Sequence, residues 1–121
     1  MLKLGVFTVL FLDQPFEAAL DTIKSFGVQA IELGVGGFIS KAHCDPAVLL
    51  EDDGKRAQFV RAIESRGLEI SGLSVHGNPL HPNEDLAKSH TEDLKNAVLL
   101  AEKLGVGVVN GFAGCPGGSE S

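Results

Sequence analysis

The sequence has few basic residues, few cysteines and no long hydrophobic run. Lysine and arginine together number 10 against 16 acidic residues, which gives a net charge of −6. The basic residues are scattered, so they form no patch that could meet the phosphates of a nucleic acid or an anionic membrane surface. The composition therefore argues against nucleic acids and membranes as main partners.

The two cysteines, Cys44 and Cys115, lie far apart and lack the spacing of metal-binding pairs. Two cysteines without a secretory signal fit a reducing compartment, so we expect a cytoplasmic protein. No segment approaches the roughly 20 apolar residues of a membrane-spanning helix. The apolar start, residues 1–12, has no small-residue cleavage site and runs directly into polar residues, which favours a buried first strand over a signal peptide.

What the sequence does contain is a helix end that repeats three times. Gly27, Gly67 and Gly105 each follow a helix-like segment and precede a short apolar strand-like segment, at intervals of 40 and 38 residues. Glycine suits the end of a helix because it adopts the left-handed backbone of a C-terminal cap. Repeated strand–helix units at this spacing are typical of a parallel α/β fold.

Hydrophobic residues make up 44% of the 121 residues, enough for the core of a single domain. The periodicity predicts strands over 3–9, 30–33, 69–75 and 106–110, and helices over 16–26, 53–66 and 84–104. Apolar stripes predict which residues face the sheet: Phe16, Leu20 and Ile23 in the first helix, Phe59, Val60 and Ile63 in the second, and Leu94, Val98 and Ala101 in the third. A long connection over 34–52 exceeds the roughly 2–6 residues usual for such a loop, which suggests a functional loop.

Crossovers between parallel strands are almost always right-handed, so four successive units predict a four-stranded parallel sheet with helices outside. A closed (β/α)₈ barrel has eight strands and about 250 residues. We therefore predict the first four strand–helix units of a TIM barrel, that is, a half barrel. Residues 1–121 would form the N-terminal portion of such a barrel, with a flexible tail over about 112–121.

One stretch is more specific than the repeat. Residues 70–82, Ile-Ser-Gly-Leu-Ser-Val-His-Gly-Asn-Pro-Leu-His-Pro, resemble the sugar phosphate isomerase/epimerase family, the xylose isomerase-like TIM barrels. The segments 27–33, 99–106 and 114–117 fit the same family. The resemblance implies an isomerase or epimerase that moves a proton next to the carbonyl of a sugar or sugar phosphate. It also implies a divalent metal cation (Mn, Mg, Co or Zn) that polarises the carbonyl.

In the family, the metal ligands come mostly from strands in the second half of the barrel, which this chain does not contain. Whether the chain by itself is an enzyme therefore stays open, and no catalytic residue is assigned. The resemblance places His76, at the end of the third predicted strand, near metal or substrate, and a structural hydrogen bond to the loop is the alternative. His81 in the same loop could reach the same pocket or could be a solvated loop residue.

Two further residues are candidate substrate ligands. Asn78 could contact a sugar hydroxyl, although a turn role suits an Asn before Pro79. Glu32 lies inside a strand, where a carboxylate is costly unless it is paired or functional, so it could orient substrate or form a structural ion pair. His43 in the long connection is a weaker candidate for a lid, and nothing in the sequence provides Cys115 with the base that a nucleophile needs.

Two other functions remain open. The chain could be a non-catalytic half-barrel module that self-associates, either as a homodimer that closes one barrel or by pairing of edge strands. Alternatively, the absent C-terminal half of the barrel could be its partner. A doubly wound, flavodoxin-like domain is less compatible with the sequence, because residues 10–15 after the first strand contain no glycine for a phosphate loop.

Overall fold

The computed structural model describes residues 2–117. It contains four strands, β1 (Gly5–Phe7), β2 (Ala30–Gly37), β3 (Glu69–His76) and β4 (Val109–Gly111). Four helices connect them, α1 (Phe16–Ser25), α2 (Pro46–Glu51), α3 (Asp53–Glu64) and α4 (Glu84–Leu104), together with a 3₁₀ helix over Thr8–Phe11. The strands form one parallel sheet in the order β1-β2-β3-β4, which confirms the predicted α/β fold of a partial TIM barrel.

The glycine-based prediction of the helix ends is confirmed. Gly27, Gly67 and Gly105 have φ angles of 75°, 71° and 69°, in the left-handed region where a side chain would be strained. Gly105 is the C-cap of α4, and the other two follow α1 and α3 by two or three residues. These glycines turn the chain from each helix directly into the next strand.

Several element bounds differ from the sequence prediction. The first strand is shorter than predicted because the chain enters the 3₁₀ helix at Thr8, which is buried. The second strand is longer, since it continues through Gly37. The connection predicted to lack structure contains α2, whose N-cap Asp45 accepts a hydrogen bond from the Ala47 amide and whose first residue is a proline. The fourth strand starts only at Val109.

The hydrophobic core lies between one face of the sheet and the helices. Alternate residues of β2 and β3 (Ile31, Leu33, Val35, Leu73 and Val75) pack with Leu20 and Ile23 of α1, Phe59 and Ile63 of α3, and Ala97 and Leu100 of α4. The predicted inward faces of the first two long helices are confirmed by this cluster, in which Phe16 and Val60 are partly buried. Because side chains alternate along a strand, the remaining residues of β2 and β3 point to the opposite face of the sheet.

The predicted inward face of α4 is wrong for two of its three residues. Leu94 and Val98 are 37% and 52% exposed, and only Ala101 is buried. The buried residues of α4 are His90, Asp93, Ala97, Leu100 and Ala101. The prediction chose the neighbouring stripe because His90 and Asp93 are polar, whereas hydrogen bonds to two loops compensate their burial.

Candidate functional site

The face of the sheet opposite the helices carries polar and aromatic side chains, most of them near the carboxyl ends of the strands. We call this set the inner-face cluster, and it comprises Phe7, Glu32, Ser74, His76, Asn110 and Phe112. The carboxyl ends of parallel strands meet at one edge of the sheet, which is where ligands bind in TIM barrels. Phe7 and His76, the last residues of β1 and β3, therefore lie where this fold places chemistry, and Glu32, the third residue of β2, lies deeper on the same face.

Glu32 links three strands through its carboxylate. Its Oε1 accepts a hydrogen bond of 2.7 Å from the Ser74 hydroxyl of β3 and one of 2.9 Å from the Asn110 side-chain amide of β4. Among residues 2–117, no group donates a hydrogen bond to its Oε2. Glu32 is only partly buried, so one carboxylate oxygen is fixed by the protein and the other remains available to a ligand.

His76 lies at the carboxyl end of β3 between two phenylalanines. Its ring stacks on Phe112 with a centroid distance of 4.6 Å and an interplanar angle of 14°, and it meets Phe7 edge-on at 6.1 Å. In the described part of the chain, neither ring nitrogen has a hydrogen-bond partner, whereas the backbone carbonyl accepts from the Phe38 amide at 2.8 Å. The aromatic contacts orient the imidazole and leave its nitrogens available.

The other two predicted site residues have structural contacts. The Asn78 side chain accepts from the Cys115 amide at 2.9 Å and donates to the Cys115 carbonyl at 2.8 Å, so it joins the loop after β3 to the segment after β4. His81 accepts a 2.9 Å hydrogen bond from the Asn83 amide through Nδ1, at the start of α4. Their assignment as substrate ligands stays a prediction.

The long connection after β2 is packed against the first helix. His43 is buried, and its Nε2 lies 2.8 Å from the Gln14 carbonyl, which it reaches as a donor, while its ring packs against Phe16. Cys44 beside it is also buried, and burial raises the pKa of its thiol to about 12. Cys115 is exposed at the end of the described chain. The contacts of His43 with Gln14 and Phe16 tie the connection after β2 to the start of α1.

A divalent metal needs several ligands, and the described residues do not supply them. Within residues 2–117, no group of three or more His, Cys, Asp or Glu side chains is arranged to hold a metal ion. His76 is one nitrogen donor with no fitting set of partners, so these residues alone do not fit the metal that the family resemblance implies. The expectation of His76 as a metal ligand remains a prediction.

Sequence reasoning identified Glu32 and His76 but missed their neighbours Ser74, Asn110, Phe7 and Phe112. The alternation of side chains along β3 could have identified Ser74, because it lies two residues before His76. The partners on β4 depend on the strand register, which the sequence does not reveal. Of the predicted residues, the structure brings Glu32 and His76 onto one face and gives Asn78 and His81 loop contacts beside it.

The sequence profile of the xylose isomerase-like TIM barrel family matches residues 20–121. The chain belongs to this family. The family includes sugar phosphate isomerases and epimerases. The chain is also 34% identical, over 117 residues, to a protein of Bacillus subtilis (strain 168) named "Uncharacterized protein YfiH".

That alignment covers 97% of this chain and 37% of the Bacillus protein, so the chain spans little more than a third of that relative's length. The family match agrees with the four parallel strands of the sheet. In the part of the chain that the structure describes, no helix is both long enough and apolar enough to cross a membrane.

Proposed function

We propose that the inner-face cluster is part of the substrate site of a sugar or sugar phosphate isomerase or epimerase. Such an enzyme moves a proton on a carbon next to a carbonyl group. The observation that supports the proposal is the Glu32 carboxylate, with one oxygen held by Ser74 and Asn110 and the other without a partner in residues 2–117. A fixed carboxylate facing a site can accept hydrogen bonds from sugar hydroxyls.

The roles of the two central residues follow from their contacts. Glu32 binds a substrate hydroxyl through Oε2, and its position is fixed through Oε1. His76 presents unpaired ring nitrogens beside the Phe112 ring and contacts the substrate or a divalent cation. Because residues 2–117 lack a set of metal ligands, a cation held by His76 requires ligands in addition to these. Asn78 and His81 border the same edge and are proposed as peripheral substrate contacts.

The test measures binding of sugars by saturation-transfer NMR. Binding needs neither a catalytic base nor the further metal ligands that residues 2–117 do not supply. The chain is mixed with a panel of aldoses, ketoses and their phosphates, each titrated until the signal saturates. A protein-free sample gives the background.

Glu32→Gln and His76→Gln are expected to weaken binding about tenfold or more, since a hydrogen bond to a charged group contributes roughly 1.5–3 kcal/mol. Glu92→Gln is the matched control, because Glu92 lies on the exposed surface of α4, where it pairs with Lys95. Binding that is absent with every sugar, or that is equal in all four proteins, would contradict the proposal.

A second candidate function is a non-catalytic module that self-associates. The observation that favours it is the exposure of four large apolar side chains on α4 and in the segment around β4, namely Val98, Leu99, Val108 and Phe112. Exposed apolar surface can mark an interface. Light scattering after size-exclusion chromatography distinguishes the two possibilities: this function predicts a dimer that Val98→Lys dissociates, and a monomer in the wild-type chain would contradict it.

A further inference from the structure

The buried face of α4 contains two polar side chains, His90 and Asp93, one helical turn apart. Because α4 packs against the sheet, these two side chains are only 5% and 7% exposed. Burial of polar groups is unfavourable unless hydrogen bonds replace those lost with water. Both side chains find partners in the loops that follow β2 and β3, at the same edge of the sheet as the inner-face cluster.

Asp93 fixes the loop after β2. Its Oδ2 accepts a 2.8 Å hydrogen bond from the Gly37 amide, and its Oδ1 pairs with the Lys41 ammonium group at 2.7 Å. The approach is close enough that a Cβ on Gly36 would lie 2.6 Å from the Asp93 carboxylate. The backbone of this loop therefore rests directly on the helix.

His90 fixes the loop after β3 in the same way. Its Nδ1 accepts a 2.7 Å hydrogen bond from the Asn78 amide, so this nitrogen carries no proton. A Cβ on Gly77 would lie 2.9 Å from the imidazole, and the Phe38 ring meets the imidazole edge-on at 4.6 Å. His90 thus contacts residues of both loops.

The two loops meet at His76. The Phe38 amide donates to the His76 carbonyl at 2.8 Å, and Gly37 pairs with His76 in the sheet. Gly77, the next residue, packs on His90. The backbone of His76 is therefore held between segments that Asp93 and His90 each fix to α4.

We propose that His90 and Asp93 are positioning residues that fix the backbone at His76 and thereby place its ring against Phe112 in the inner-face cluster. They act through the loops after β2 and β3 and touch no substrate. The inference rests on the proposed function only in treating the cluster as a ligand site. Its test requires no sugar, so its failure and the failure of the proposed function are separate results.

The test measures the His76 ring by NMR. Because the imidazole stacks on Phe112, the Phe112 ring current shifts its proton signals upfield, and His76→Gln assigns those signals. His90→Leu keeps the bulk and removes the acceptor, and Asp93→Ala removes the carboxylate. We expect both to move the His76 signals toward random-coil positions. The rate of amide hydrogen exchange should rise about tenfold or more at Asn78 in His90→Leu and at Gly37 in Asp93→Ala.

Conservative variants separate positioning from general loss of stability. His90→Asn places an oxygen acceptor near the site of Nδ1, and Asp93→Asn keeps an acceptor for Gly37, so both should restore the His76 signals. Ile63→Val in α3 is the control, since Ile63 is buried and makes none of these contacts. It should lower the midpoint of urea unfolding without moving the His76 signals.

Three results would overturn the proposal. The first is that the His76 signals stay unchanged in both His90→Leu and Asp93→Ala. The second is that the two asparagine variants move the signals as far as His90→Leu and Asp93→Ala do. The third is that Ile63→Val moves the signals by the same amount. If His90→Leu or Asp93→Ala does not fold, Gly36→Ala decides the matter, because its Cβ would lie 2.6 Å from the Asp93 carboxylate and displaces it from the Gly37 amide. Hydrogen exchange of the Gly37 amide should then rise severalfold and the His76 signals should move, and the absence of both changes would refute the role of Asp93.

Discussion

The hydrogen bond between Glu32 and Ser74 should be measurable as a coupling energy. Ser74 is fully buried and donates to Glu32 Oε1 at 2.7 Å, whereas the second donor, Asn110, is exposed. A buried hydroxyl that loses its charged partner costs roughly 1.5–3 kcal/mol, and the exposed amide adds little because water replaces the carboxylate. Glu32→Ala should therefore lower the free energy of unfolding by about 2–3 kcal/mol.

Ser74→Ala removes the donor but leaves the carboxylate its bond to Asn110, so we expect a loss of about 1–2 kcal/mol. The double variant should lose less than the sum of the two single losses, by about 1–2 kcal/mol, because the shared bond is removed only once. Urea unfolding followed by far-UV circular dichroism is the assay, since the chain has no Trp or Tyr.

Ser71→Ala is the matched control for this cycle. The Ser71 hydroxyl lies on the same strand but donates to the Ile31 carbonyl at 3.1 Å, so it should show no coupling with Glu32. A Glu32–Ser74 coupling below about 0.5 kcal/mol would refute the account, because that is within the additivity expected of independent sites. A similar coupling for Ser71 would refute it as well.

Two further predictions concern the cysteines and the loop after β2. Burial raises the pKa of the Cys44 thiol to about 12, whereas Cys115 is exposed. A thiol reagent at pH 8 should therefore label Cys115 rapidly and Cys44 only after unfolding. Rapid labelling of the Cys115→Ser variant, in which Cys44 is the remaining thiol, would contradict this. Gly36 has a φ of 137°, and Gly36→Ala places a Cβ against Asp93, so this variant should lower the free energy of unfolding in urea by about 1–3 kcal/mol. Gly107→Ala is the control, because its Cβ meets no atom within 4 Å and its free energy of unfolding should hardly change. Equal losses of stability in the two variants would refute the packing argument.

The fold was largely predictable because local signals agree with it. Gly27, Gly67 and Gly105 mark the chain reversals, and the apolar runs after them form parallel strands. The prediction of the buried face of α4 was wrong for a physical reason. Burial of His90 and Asp93 costs little free energy, because the backbone amides of Asn78 and Gly37 donate hydrogen bonds to them. A hydrophobic pattern cannot anticipate such partners, because they come from distant parts of the chain.

The site was only partly predictable because it depends on strand register. Glu32 was identifiable as a charge inside a strand, but its neighbours are set by irregularities in the β2–β3 pairing, between Ile31 and Glu32 and between Gly34 and Gly37. The first shift places Glu32 opposite Gly72, and the Glu32 carboxylate reaches Ser74 from there. A shift of one residue reverses the direction of every side chain, so sequence spacing alone does not determine these contacts.

The measurement that tests the central claim most directly is a map of sugar binding on the chain. Backbone amide signals of the ¹⁵N-labelled protein are recorded while a panel of aldoses, ketoses and their phosphates is added. The account predicts saturable shifts that centre on Ser74, His76 and Asn110. No saturable shift with any sugar, or shifts confined to the outer groove that Leu49 and Phe59 line, would contradict the claim that the inner-face cluster binds the substrate.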